Sequence, residues 1–322
     1  MISYILLPLG LVILVAAADT LVRGSVNIAR LFNISEMAVG LTIVSFGTSL
    51  PEMMVSVVAN YSGHTDLSVA SLLGSNISNV LLILGVAAII RTLPVTEATV
   101  LTEIPFSLSS ALLVGFLANA ALFSTAADLS ISRLDGVILL FFFALFMAYV
   151  FKMARSGFRS AEADDSPAMS LPISLLLIAV GIFGLYLGGN WVVEGAIKIA
   201  SSMGIGETMI GLTVVAIGTS LPELSASAMA AWRGKTDLAV GNVVGSNIFN
   251  LLWVLGVTAT IQEMPFDVVN NTDLAMVVFA TALVIVAIAL GRKGTIERWH
   301  GVIFLLVYLA YLAFVVGRGL SR

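Results

Sequence analysis

The sequence predicts an all-α polytopic membrane protein: ten transmembrane helices arranged as two inverted five-helix repeats. Three observations carry that prediction. The 322 residues are 59% hydrophobic and 11% charged, with a mean hydropathy of +1.07, too little charge to cover a soluble domain of this size. Ten apolar stretches are each long enough to cross a hydrocarbon core about 30 Å thick. Finally, Gly40–Glu52, GLTIVSFGTSLPE, returns 171 positions later at Gly211–Glu223 as GLTVVAIGTSLPE. From Gly40 to Gly85, 25 of 46 positions are identical in the second copy. Those identities include Thr, Ser, Asn, Asp and Glu, so shared hydrophobicity does not explain them.

In chain order the spans fall near 3–22, 37–60, 67–91, 103–123, 133–152, 171–196, 207–231, 238–261, 273–291 and 299–317. The first carries Ala16, Ala17 and Ala18 like a cleavage site, but no Lys or Arg precedes its apolar run. It is therefore expected to remain as a span. Residues 1–152 form the first five-helix repeat and 171–322 the second, joined by a polar linker at 153–170 that carries Arg155, Arg159, Glu162, Asp164 and Asp165. Five is odd, so the second repeat enters the membrane from the opposite side. Inverted repeats of this kind mark alternating-access carriers with a site near the midplane.

Basic residues orient the bundle. Arg133, Lys198, Arg318 and Arg322 fall on the side of the termini. Arg23, Arg30, Arg91, Lys152, Arg155, Arg159, Arg233, Lys235, Arg292, Lys293 and Arg298 fall on the other. The positive-inside rule makes both termini external and the linker cytoplasmic, in a multi-pass protein of the cell (inner or plasma) membrane.

Composition excludes several chemistries. There is no cysteine, hence no disulfide, thiol catalysis or Cys-type metal site. The two histidines, His64 and His300, are read as solvated helix-end residues. No nucleophile–base pair suggests an enzyme, and no resident cofactor is expected. The bilayer is the expected surrounding; no nucleic-acid partner and no obligate protein partner is indicated.

The second and seventh spans carry the chemistry. Each places a Glu beside a Pro at membrane depth, Glu52 after Pro51 and Glu223 after Pro222. A carboxylate there is costly and marks function. Proline lacks an N–H, so the carbonyls of Gly47 and Gly218 lose their helical donors, and backbone oxygens around Thr48 and Thr219 become available. Ser45, Ser49, Glu52 and Ser56 share one helix face; the copy presents Ser220, Glu223 and Ser227, with Ala216 in place of Ser45. On the third span Ser71, Ser75 and Asn79 align, and on the eighth Asn242, Ser246 and Asn250. All are oxygen donors suited to a hard cation. Calcium takes about six to eight such ligands in irregular geometry. Magnesium's strict octahedron fits less well, and transition metals would favour His or Cys. The alternative for the hydroxyls and amides is helix-to-helix hydrogen bonding, which accounts well for Thr42, Thr213, Ser56 and Ser227. It does not account for two intramembrane glutamates.

GTSLPE twice, each followed by GSNI and an Asn, resembles the sodium/calcium exchangers, in the prokaryotic branch of the calcium/cation antiporters. The resemblance covers essentially the whole chain. It implies that Glu52 and Glu223 are the central ligands, flanked by Thr48, Ser49, Thr219 and Ser220, with Ser75, Asn79, Ser246 and Asn250 on the neighbouring spans. Backbone oxygens of Ser45 and Ala216 would complete outer sodium sites. It also implies that the first and sixth spans slide against the rest, in keeping with Gly181, Gly184, Gly188 and Gly189 on the sixth. Some relatives, including potassium-dependent exchangers, carry an acid where this chain has Asn250. The cytoplasmic calcium-sensing insert of eukaryotic exchangers is absent.

Two carboxylates give the site a charge of −2, which one Ca²⁺ or two Na⁺ neutralises. Passing bare carboxylates through a dry state costs several kcal/mol per ion. Only loaded carriers would switch readily, so electrogenic Ca²⁺/Na⁺ exchange is expected. Two protons also neutralise two glutamates, which leaves an H⁺/Ca²⁺ antiporter as the alternative. A calcium-permeable channel would use the same ligands passively, against the inverted halves and the tight two-carboxylate site.

Overall fold

In a computed structural model of the chain, residues 2–62, 65–120, 129–155, 169–203, 216–292 and 294–320 are described. They form helices α1 (Ile2–Phe32), α2 (Glu36–Tyr61), α3 (Ser68–Ile90), α4 (Thr99–Ala118), α5 (Arg133–Arg155), α6 (Leu171–Ser202), α7 (Ala216–Thr219 and Leu221–Trp232), α8 (Thr236–Ile261), α9 (Asn270–Leu290) and α10 (Arg298–Leu320). Among the described residues nine helices, all but α7, are long and apolar enough to span a bilayer. The first part of the seventh span, most of the 153–170 linker and His64 lie outside the described residues.

Local sequence sets the ends. α1 stops on Asn33, whose φ of 52° is the left-handed conformation that asparagine tolerates. The amides of Asn33 and Ile34 then return to the carbonyls of Arg30 and Ala29. α2 starts after Ser35, whose Oγ accepts from the Ala38 amide. α7 closes in the same way as α1, with Gly234 at φ 78° and the Lys235 amide bonded to the Ala230 carbonyl. α1 and α6 outrun the spans expected at 3–22 and 171–196, because the helices carry on through polar residues such as Arg23, Asn27 and Lys198 and end only at Asn33 and Met203.

Two short antiparallel ribbons clamp the repeats together. β1 (Leu93–Pro94) pairs with β4 (Thr295–Ile296), and β2 (Ser130–Ile131) pairs with β3 (Met264–Pro265). β1 and β3 are separated by the same 171 positions as the two sequence motifs. Exchanging the halves thus exchanges the ribbons. β2 and β3 share a face only if the chain crosses an even number of times between them, and α5, α6 and α8 supply three crossings. α7 must supply the fourth. β1 and β4 impose the same requirement across α4–α9. The ten-span parity and the inversion both follow.

Packing repeats the symmetry. α3 and α8 are the central helices, with 72% and 94% of their spans buried, against 22% for α5 and α10. The last helix of each repeat crosses the third helix of the other through glycines. A Cβ on Gly136 would lie 2.8 Å from the Gly256 carbonyl oxygen, and one on Gly85 would lie 3.1 Å from that of Gly301. α1 and α6 pack antiparallel along their length: a Cβ on Gly10 would lie 2.8 Å from the Gly188 oxygen, and one on Gly188 would lie 2.9 Å from that of Gly10. Gly181 and Gly184 face Leu21 and Ala17 of α1, so the smooth surface expected on α6 docks on α1, whereas Gly189 lies nearest Pro222 of α7.

One expectation fails. His300 is not solvated but 3% exposed, with Nδ1 accepting from the Glu297 amide. It caps the first turn of α10, and helix capping at a buried turn leaves no hydropathy signal. In the same turn the half-buried Glu297 accepts from the Arg292 amide and the Trp299 indole, and those bonds hold its carboxyl below the usual range.

Candidate functional site

α2, α3, α7 and α8 cross at the centre of the bundle, two from each repeat. The doubled GTSLPE motif adopts two different conformations there. In α2, Gly47–Glu52 is continuous helix, and the widening falls one turn earlier, in a π-helical turn at Gly40–Val44. In α7 the helix breaks at Ser220 (φ −89°, ψ 2°) and restarts at Leu221 with Pro222 in its first turn, where a missing N–H costs nothing. Glu223 thereby sits at the positive end of a helix. α3 widens to π-helix at Asn79–Ile83 and α8 at Phe249–Val254. Such turns recur at functional sites because they re-aim side chains and backbone oxygens.

Several of the sequence-derived residues meet across the repeats, and most of the others are buried. Glu52 and Glu223 are 4% and 1% exposed. Ser49 donates its hydroxyl to Glu223 Oε1 at 3.2 Å, across the two repeats. Thr48 Oγ1 lies 3.4 Å from its own Ser45 carbonyl and 3.3 Å from Asn242 Oδ1. Ser45, Ser75, Asn79, Ser220, Ser246 and Asn250 are all buried. Ala216 opens the described part of α7, and Thr219 lines the cavity beside it.

Unpartnered oxygens collect here. Glu52 Oε2, Glu223 Oε2, Asn79 Oδ1, Asn250 Oδ1, Ser220 Oγ and Ser246 Oγ are buried without a hydrogen-bond partner. Buried polar atoms are ordinarily satisfied. These six unsatisfied oxygens are drawn from four helices and both repeats, and oxygen is the ligand that a hard cation takes.

A cavity of about 590 Å³ lies between α2, α6 and α7. Gly47, Thr48 and Pro51 face their repeat mates Gly218, Thr219 and Pro222 across it, and Leu185, Gly189 and Asn190 of α6 form its third wall.

Other polar residues prove to be structural. Ser56 is 2.5 Å from Ser68, and Asn60 donates to the Gln262 carbonyl at 3.0 Å, both as helix-to-helix bonds. Asp273 is held by Arg318 at 3.1 and 2.9 Å and by the Tyr311 hydroxyl at 3.0 Å. Glu103 accepts from the Tyr149 hydroxyl at 2.6 Å. Asp19 of α1 pairs with Arg23 and with Arg233 of the α7–α8 turn, and Lys235 pairs with Glu36 at 3.0 Å.

Sequence reasoning placed Asn242 on the polar face of the eighth span but passed over Asn247. Asn242 joins Thr48 to Ser227 (2.9 Å), and Asn247 holds Asn79. The available signal for Asn247 was the middle Asn shared by GSNISN and GSNIFN.

Residues 2–152 and 173–317 match the family model described as sodium/calcium exchanger protein. The chain is 36% identical over 319 residues to the putative antiporter CaxA of Alkalimonas amylolytica, covering 97% of this chain and 98% of that protein. It is 34% identical over 316 residues to the inner membrane protein YrbG of Escherichia coli, covering 96% and 95%. A solved structure of the sodium-calcium exchanger NCX_Mj, soaked with Na⁺ and Ca²⁺, superposes with a TM-score of 0.79 at 34% identity, covering 97% of this chain and 98% of that one.

Proposed function

The chain belongs to the sodium/calcium exchanger family, and from that premise we propose that it is an electrogenic antiporter moving Ca²⁺ against Na⁺ by alternating access. The observation that carries this reading is the set of six buried, unpartnered oxygens around Glu52 and Glu223. Glu52 and Glu223 are the central ligands. Thr48, Ser49, Thr219, Ser220, Ser75, Ser246, Asn79 and Asn250 complete the set with hydroxyl, amide and main-chain oxygens, and Ser45 and Ala216 contribute main-chain oxygens to flanking sodium sites.

Charge gives the mechanism. Calcium loading neutralises the −2 site, and three Na⁺ leave +1, whereas the empty site would carry two bare carboxylates into a dry state at several kcal/mol per ion. Empty carriers therefore stay open while loaded ones switch, and exchange results rather than leak. The close α1–α6 pair, docked glycine to glycine, is the element that shifts as a unit past the bundle, and the α2–α6–α7 cavity is one of the two access routes. The termini are external and the 153–170 linker cytoplasmic, in the cell membrane.

Calcium uptake into inside-out vesicles, driven separately by a sodium gradient and by a proton gradient, tests the coupling. Uptake with the sodium gradient alone supports the reading. Uptake with the proton gradient alone replaces it with an H⁺/Ca²⁺ antiporter.

A further inference from the structure

We infer that Asn247 is a positioning residue that aims the carbonyl of Asn79 at the transported cation; this rests on the site proposed above. A carboxamide offers a cation one oxygen, and flipped over it offers two N–H donors that repel the ion. An asparagine ligand therefore needs something to set its amide.

In α3 that element is visible. Asn79 Nδ2 donates to Asn247 Oδ1 at 3.0 Å, with both side chains 1% exposed. With Asn247 so placed, its Oδ1 only accepts, and a flip of the Asn79 amide alone would set oxygen against oxygen in a buried place. Asn79 Oδ1 is thus turned away from Asn247, and it has no partner. The repeat mates behave differently. Asn76, equivalent to Asn247, donates to the Leu72 carbonyl of its own helix at 2.7 Å. Asn250, equivalent to Asn79, has neither amide atom bonded. Two near-identical motifs thereby give one amide fixed in advance and one left for the ion to set. Asn247 does this without offering an atom to the ion.

The test is a double-mutant cycle on the full-length protein. Calcium-dependent shifts in melting temperature give the apparent Kd, and sodium-driven calcium uptake in vesicles gives KM and kcat. Asn247→Ala should raise Kd and KM about 10- to 100-fold, as removal of an outer-shell partner does, with kcat little changed. Asn79→Asp presents two equivalent oxygens and needs no aiming, so Asn247→Ala in that background should change Kd by less than about threefold. Equal losses in both backgrounds, or no loss in either, overturn the inference. Should Asn247→Ala not fold, Asn247→Ser, too short to reach Asn79, goes through the same cycle with the same expectation. Failure of the underlying site looks different: calcium would not shift the melting of the wild type, and Glu52→Gln would match it.

Discussion

Ser49 of the first repeat donates its hydroxyl to Glu223 of the second at 3.2 Å. The mirror bond, from Ser220 to Glu52, is not made: Ser220 Oγ and Glu52 Oε2 are both buried and unpartnered. Two copies of one motif thus meet as unequal partners. A carrier built from inverted repeats can change sides by exchanging the roles of its halves, so an unequal pairing is what either end state should show.

Glu52→Gln and Glu223→Gln should each abolish gradient-driven calcium flux and leave a folded protein, because glutamine keeps the shape and removes half of the site's charge. Gel filtration and vesicle uptake check the two halves of that statement. Near-normal exchange in either variant would sink the proposed ligands.

Exchange should carry a current. With two fixed negative charges, a calcium-loaded carrier is neutral and a three-sodium carrier is +1. A potential of 100 mV is worth about 2.3 kcal/mol per charge moved, roughly a fifty-fold bias in the equilibrium calcium ratio. Electrically silent sodium-driven flux in wild-type vesicles would contradict the charge count.

Asn250→Asp should bring the site to −3 and create a dependence on pH or on a second monovalent cation, whereas the wild type should show little response to potassium. Uptake measured across a pH series, with and without potassium, decides it. Identical behaviour of the two proteins would place Asn250 away from the ions.

Gly188→Val should separate α1 from α6, since even a Cβ there lies 2.9 Å from the Gly10 oxygen and 3.0 Å from the Leu14 amide. Overpacking of this kind costs about 1–3 kcal/mol, and the exchange rate should fall more than calcium binding does. Unchanged melting and rate would show that the close crossing is dispensable.

A reporter fused after Arg322 should be external and one inserted near Asp165 cytoplasmic. Both on one side would break the inverted arrangement of the halves.

The sequence by itself determined the membrane as solvent, the number of spans, the inversion and the two buried carboxylates. These are local or additive properties: hydrophobic length sets a span, an odd repeat sets the inversion, and a Glu beside a Pro in an apolar run stands out wherever it folds. It also put Ser75 with Asn79 and Ser246 with Asn250 on shared helix faces, and all four are buried, because helical periodicity fixes a face without knowledge of the neighbour. It misjudged His300, whose surroundings come from the turn before α10.

Only the tertiary structure decided how the two copies differ. Gly47–Glu52 and Gly218–Glu223 are the same six residues, yet one is unbroken helix and the other breaks at Ser220. The same contrast separates Asn247, bonded across the repeats to Asn79, from Asn76, bonded to its own helix at Leu72. Identical local sequence has identical local preference, so the difference must come from what each copy packs against. α6 packs on the two motifs through different residues, Ile182 against Gly47 and Val193 against Gly218, and no reading of either copy alone could supply those partners.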